Sequence, residues 1–127
     1  MTNNDQLQLV TFEQAKNLKK LGFYFATNAY YIPGACLCER KYSMLSNHNR
    51  REHVMSAPKV PLALKWVRDV KGIRLGVQFR YTGYYGHFNE TDDRANIIVL
   101  NGCDTYEQAE SALLDAVIEE LKKARKE

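Results

Sequence analysis

The chain has 127 residues, 45% hydrophobic and 26% charged, with a formal net charge of +3. This is the size and balance of one globular domain that buries its own core, which argues against a disordered or low-complexity chain. The longest aliphatic run is only Ile97 to Leu100, far short of the roughly 20 residues that span a bilayer. The opening stretch lacks a basic segment followed by an apolar one, so the expectation is a cytoplasmic protein with no membrane partner.

The first helix is marked at both ends. In TFEQAKNLKKLGF, Thr11 stands as N-cap and Gln14 three residues on, a capping box. Phe12, Ala15 and Leu18 recur at helical spacing. Gly22 follows as the left-handed stop, with Phe23 placed to close a Schellman motif against Leu18. Residues 23–32 are aromatic and β-prone and predict one or two short strands, bending at Thr27-Asn28. Residues 33–58 show no sustained period and read as an irregular segment, with a short strand near 36–42.

A second helix is predicted from Val60 to Lys71, with Pro61 in its first turn, a stripe of Leu62, Trp66 and Val70 with Val67 beside it, and Gly72 as its stop. Three strands follow. Ile73, Leu75, Val77, Phe79 and Tyr81 alternate with Arg74, Gly76, Gln78 and Arg80, which gives one apolar and one basic-polar face. Residues 84–89 return as a second strand and 95–100 as a third. The last helix opens at Thr105 with Gln108 repeating the capping box, and presents Ala109, Leu113, Leu114, Val117, Ile118 and Leu121 on one face. Glu107 and Glu110 near its start, and lysines at its end, are in the order the helix dipole favours. Three meandering strands with one apolar face need helices on that face. The expected architecture is therefore α+β over residues 1–127, an antiparallel three-stranded meander in the order α–(short β)–α–β–β–β–α.

Charge is uneven along the chain. Residues 40–81 carry ten basic and two acidic side chains, whereas residues 82–127 carry five basic and ten acidic. A basic middle suits an acidic partner, or else pairs with the acidic end within the fold or across a homodimer.

Several constellations bear on chemistry. Cys36, Cys38, His48 and His53 are zinc-type ligands, but the pair Cys36–Cys38 is separated by one residue where zinc sites use two to four, so no metal or other cofactor is expected. Cys103 precedes a helix, where a thiol can be activated, yet no base stands in a recognised relation to it and Asp104 opposes the thiolate. The acidic pairs Asp92-Asp93 and Glu119-Glu120 fit a turn and a polar helix side. Phosphate-loop, dinucleotide, nucleophile-elbow and zinc-hydrolase motifs are missing, so the expectation is a non-catalytic protein. The best binding candidates are Arg74, Gln78, Arg80, Tyr85 and His87, because basic groups interleaved with aromatic rings suit single-stranded nucleic acid.

In topology, the order α–β–β–β–α from 60 to 125 resembles double-stranded RNA-binding domains. Where those domains open their last helix with lysines, this chain has Glu107 and Glu110. The strand-turn-TYEQA ending is similar to the C-terminal half of HicB-type antitoxins. A longer resemblance, carried by TFEQAKNLKKLGF, NAYY, SAPKVPLALKWVRDVKGI and TYEQAESALLDAVIEELKK, is to a family of small uncharacterised proteins from phages, prophages and mobile elements of Bacteroidales. It implies a phage or mobile-element origin and a bacterial cytoplasm, and it brings no activity or active-site residues; the partner expected of the chain is a host or phage macromolecule.

Overall fold

A computed structural model describes residues 8–27, 29–32, 34, 36–39, 47–50, 54–80, 83–89 and 97–125. Helix α1 spans Phe12–Leu21. Its capping box is closed as expected: Gln14 N donates to Thr11 Oγ1 at 3.1 Å, and Thr11 N donates to Gln14 Oε1 at 2.9 Å. Its end is a full Schellman pair. Gly22, at φ 97°, donates to Lys19 O, and Phe23 N donates to Leu18 O.

Two antiparallel sheets follow. In the first, β1 (Ala29–Ile32) lies between β2 (Cys36–Glu39) and β3 (Met55–Ser56), with Tyr30 opposite both Cys38 and Ser56. The short strands expected within 23–32 and near 36–42 thus pair with each other and with β3 in a sheet of their own, beside the expected meander. A short 3-10 turn at His48–Arg50 is tied in by Asn49, whose Nδ2 donates to Phe23 O at 2.9 Å and whose Oδ1 accepts from Ser56 N at 2.8 Å. Such elements have too few residues to show a period, and they are held by bonds to distant parts of the chain.

Helix α2 spans Val60–Lys71. Lys59 at its N-cap makes no side-chain capping bond; the chain before α1 does the capping. Val60 N donates to Gln8 O at 2.8 Å, and Val10 N donates to Pro58 O at 3.0 Å. Gly72, at φ 73°, ends the helix as predicted. The expected stripe is rotated: Val60, Ala63, Leu64, Trp66 and Val67 are buried, whereas Val70 is 42% exposed. Helix α2 packs on the last helix and makes no comparable contact with the second sheet.

The second sheet is the expected meander, β4 (Leu75–Arg80), β5 (Gly83–Asn89) and β6 (Ile97–Val99), with β5 central. Past β6 the chain gains one residue on β5. Leu100 N donates to Gly86 O, but Tyr84 pairs with Cys103, so a bulge lies between them. Helix α3 (Tyr106–Arg125) packs on β5, β4, α1 and α2. All six residues of its predicted apolar face are buried. Gly86 allows this closeness, since a Cβ there would lie 3.1 Å from Leu113 Cβ and 3.2 Å from Leu100 Cδ1. Among the described residues, no helix is long and apolar enough to cross a membrane.

Gln14 does more than cap. It is 2% exposed, and its Nε2 donates to Asp115 Oδ1 at 2.9 Å and to Ser111 O and Oγ, both at 3.2 Å. Gln108, its counterpart at the start of α3, is exposed. Gln14→Ala is therefore expected to cost about 1–3 kcal/mol, the scale of a lost buried hydrogen-bonding group, and Gln108→Ala about 0.5 kcal/mol or less, both read from urea midpoints. Gly86→Ala is expected to cost about 1–3 kcal/mol, because Leu113 Cβ is anchored to the helix backbone and cannot swing aside; thermal unfolding checks this.

Candidate functional site

The strand register places the predicted binding residues. Across β4 and β5, Gln78 lies opposite Tyr85, Gly76 opposite His87, and Arg80 opposite Gly83. Asn89 N donates to Arg74 O, which carries the same pairing to Arg74. Across β5 and β6, His87 lies opposite Val99 and Asn89 opposite Ile97. Side chains alternate along each strand, so Arg74, Gln78, Arg80, Tyr85 and His87 share the face turned away from the helices. Ile97 and Val99 join them there, 57% and 61% exposed. They were missed because a short run of consecutive aliphatic residues does not reveal which of them face outward.

Two glycines shape this outer face. A Cβ on Gly76 would lie 3.1 Å from Cε1 and Nε2 of His87, and one on Gly102 would lie 3.0 Å from Cε1 and Cζ of Tyr85. Each ring therefore lies close over bare backbone, that of β4 for His87 and that of the segment after β6 for Tyr85, where a side chain would crowd it. Arg74, Gln78 and Arg80 are exposed around them. Among the described residues of this face, none is acidic.

The inner face is apolar as predicted only along part of its length. Leu75, Val77 and Phe88 pack under the helices, whereas Phe79 is 63% exposed and sits in an aromatic cluster with Tyr84 at 5.0 Å, itself 5.9 Å from Tyr106. Tyr81 lies outside the described residues.

His48 is 2% exposed, and its ring lies 4.5 Å from that of Tyr30. Its Nε2 is 3.0 Å from Thr27 O; a carbonyl only accepts, so Nε2 carries the proton and donates. Cys36 is exposed and Cys38 half-buried on β2. His53 lies outside the described residues, and among those described no group of three or more His, Cys, Asp or Glu side chains comes together. Cys103 is held in its bridge to Tyr84, with Sγ 3.9 Å from Asn101 O. Asp92 and Asp93 lie outside the described residues, while Glu119 accepts from Lys122 Nζ at 3.5 Å.

The structure also gathers residues that the sequence reading did not combine. Between α2, α3 and β4 lies an open cleft of about 220 Å³, lined mainly by Leu64, Arg68, Leu75, Val77, Tyr106 and Glu110. Glu110, read from sequence as a surface partner of the helix dipole, is only 8% exposed. Burial pushes its pKa above the ordinary glutamate value, and the negative charge of Glu107 pushes it the same way. The spacing held the signal: Glu110, Leu113, Leu114 and Val117 stand at i, i+3, i+4 and i+7, on the buried stripe. Arg68 does not neutralise Glu110. Its Nε is directed to Asp69 Oδ1 at 3.7 Å, and its side chain is 52% exposed. The ion pairs Lys65–Asp69, Arg68–Asp69 and Lys122–Glu119 are local to single helices and do not join the basic middle to the acidic end.

Comparison with protein-family models, with curated proteins and with solved structures finds no match.

The raised pKa of Glu110 sets a sign for stability. The folded state holds this proton more tightly than the unfolded state, so stability is lost as pH rises from the ordinary glutamate range through the raised folded value. Glu110→Gln is expected to raise the melting temperature at neutral pH, with the gain shrinking as pH falls below that range; melting curves across pH check this.

Proposed function

We propose that this chain is a small non-catalytic binding protein of phage or mobile-element origin, which acts in a bacterial cytoplasm and engages a macromolecule through the outer face of β4, β5 and β6. One observation carries the reading: the β4–β5 register gathers Arg74, Gln78, Arg80, Tyr85 and His87 on one face. The origin rests on the sequence resemblance alone.

Single-stranded nucleic acid is the partner that best suits the chemistry of this face. Arginines meet phosphates, and rings seated on the sheet stack with bases, a contact worth about 1–3 kcal/mol per base. Exposed Ile97 and Val99 favour a second reading, a protein partner, because interface cores use apolar groups that single strands do not need.

Fluorescence anisotropy with labelled single-stranded DNA and RNA over a salt series separates the two. The nucleic-acid reading expects affinity to fall steeply with salt, Arg74→Ala and Arg80→Ala each to reduce the log–log slope by about 0.7, and Tyr85→Ala to weaken binding with little change in slope. Absence of salt-sensitive binding to any strand would overturn it in favour of the protein partner.

A further inference from the structure

We infer that the cleft between α2, α3 and β4 is a binding site for a small apolar amine. This site is separate from the outer sheet face and does not depend on that face's role.

The first reason is an unanswered carboxylate. Glu110 is 8% exposed and lines the cleft, and among the described residues it has no hydrogen-bond or ion-pair partner. Its carboxyl oxygens keep contact with open space, and a carboxyl group held among apolar side chains beside such a space gains from a ligand that brings a cation with hydrogen-bond donors. An ammonium group does both. Of the neighbouring charges, Glu107 adds negative potential at Glu110, which favours a cation; Arg68 also lines the cleft, with its side chain 52% exposed and its Nε 3.7 Å from Asp69 Oδ1.

The second reason is the walls. Pro61 and Leu64 from α2 and Leu75 and Val77 from β4 are apolar and suit a short hydrocarbon body, beside the polar groups of Arg68, Tyr106 and Glu110. Tyr106, also in the lining, offers a ring that attracts cations. Size sets the class. A cavity of about 150 Å³ accepts benzene, so about 220 Å³ takes a body of roughly that size with its amine.

The third reason is how the space arises. Helix α2 packs on α3 and makes no comparable contact with β4. The gap therefore belongs to the framework, and the buried face of α3 forms its base, with Leu113 fully buried there.

The test uses the full chain and two probes of one shape, 3-methylbutylamine and 3-methylbutanol, titrated at neutral pH with amide NMR shifts as the readout. The amine is expected to shift the amides of residues 75–77 and 106–113 and to bind at least about tenfold more tightly than the alcohol, a difference of about 1.4 kcal/mol. Glu110→Gln, which removes the buried charge and keeps the shape, is expected to bring the amine down to the level of the alcohol. Val77→Phe, which fills the cleft, is expected to abolish binding of both probes. Equal affinity for the two probes in the parent chain, a preference for the amine that survives Glu110→Gln, or no localised shifts with either probe would overturn the inference.

Discussion

The fold rests on the burial of one face of helix α3. Leu113, Leu114 and Val117 are wholly buried, and Ile118 nearly so, each a side chain whose full burial contributes about 1.5–3 kcal/mol. They are covered from three directions, by α1, by α2 and by β4 and β5. The two short helices do not form a core of their own; they complete that of α3. Gly86 is the condition for this arrangement, because the central strand can approach Leu113 only where it carries no side chain.

The two similar helix starts show how tertiary context divides identical local chemistry. In both, Thr caps and Gln reaches back to its backbone. At α1 the same Gln also crosses to α3, where Ser111 and Asp115 accept from its amide. A buried amide must be satisfied, and Gln14 fully uses both ends of its side chain. Gln108 faces solvent and serves only its own helix. The motif is thus a helix-start solution used twice, with a second duty added only where a neighbouring helix passes.

The two candidate sites arise from different kinds of order. The outer sheet face follows from strand alternation and is refined by two glycines that let Tyr85 and His87 settle on the backbone. The cleft follows from a mismatch: α2 turns its buried side to α3 and leaves β4 partly uncovered. The same rotation leaves Val70 exposed. It also places Glu110 in a position where helix-end electrostatics no longer describe its surroundings.

Local rules were enough to read helix ends, the apolar face of α3, the strands of the second sheet and the grouping of Arg74, Gln78, Arg80, Tyr85 and His87, since capping, left-handed glycine and two-residue alternation act over a few neighbouring residues. In the first sheet β1 and β2 were legible as short strands, but β3 and the pairing of the three escaped, because a strand as short as Met55–Ser56 has no readable period and depends on partners such as Asn49. The capping of α2 by Gln8 escaped for the same reason: the donor and acceptor are far apart in the chain. By itself the sequence determined the three helices, the strands of the second sheet and which side of β4 is basic. Only tertiary packing decided which face of α2 is buried, that Glu110 lines a cleft with no counter-ion among the described residues, and that Gln14 is a bridge where Gln108 is a surface residue, because burial depends on what the rest of the chain places against a residue.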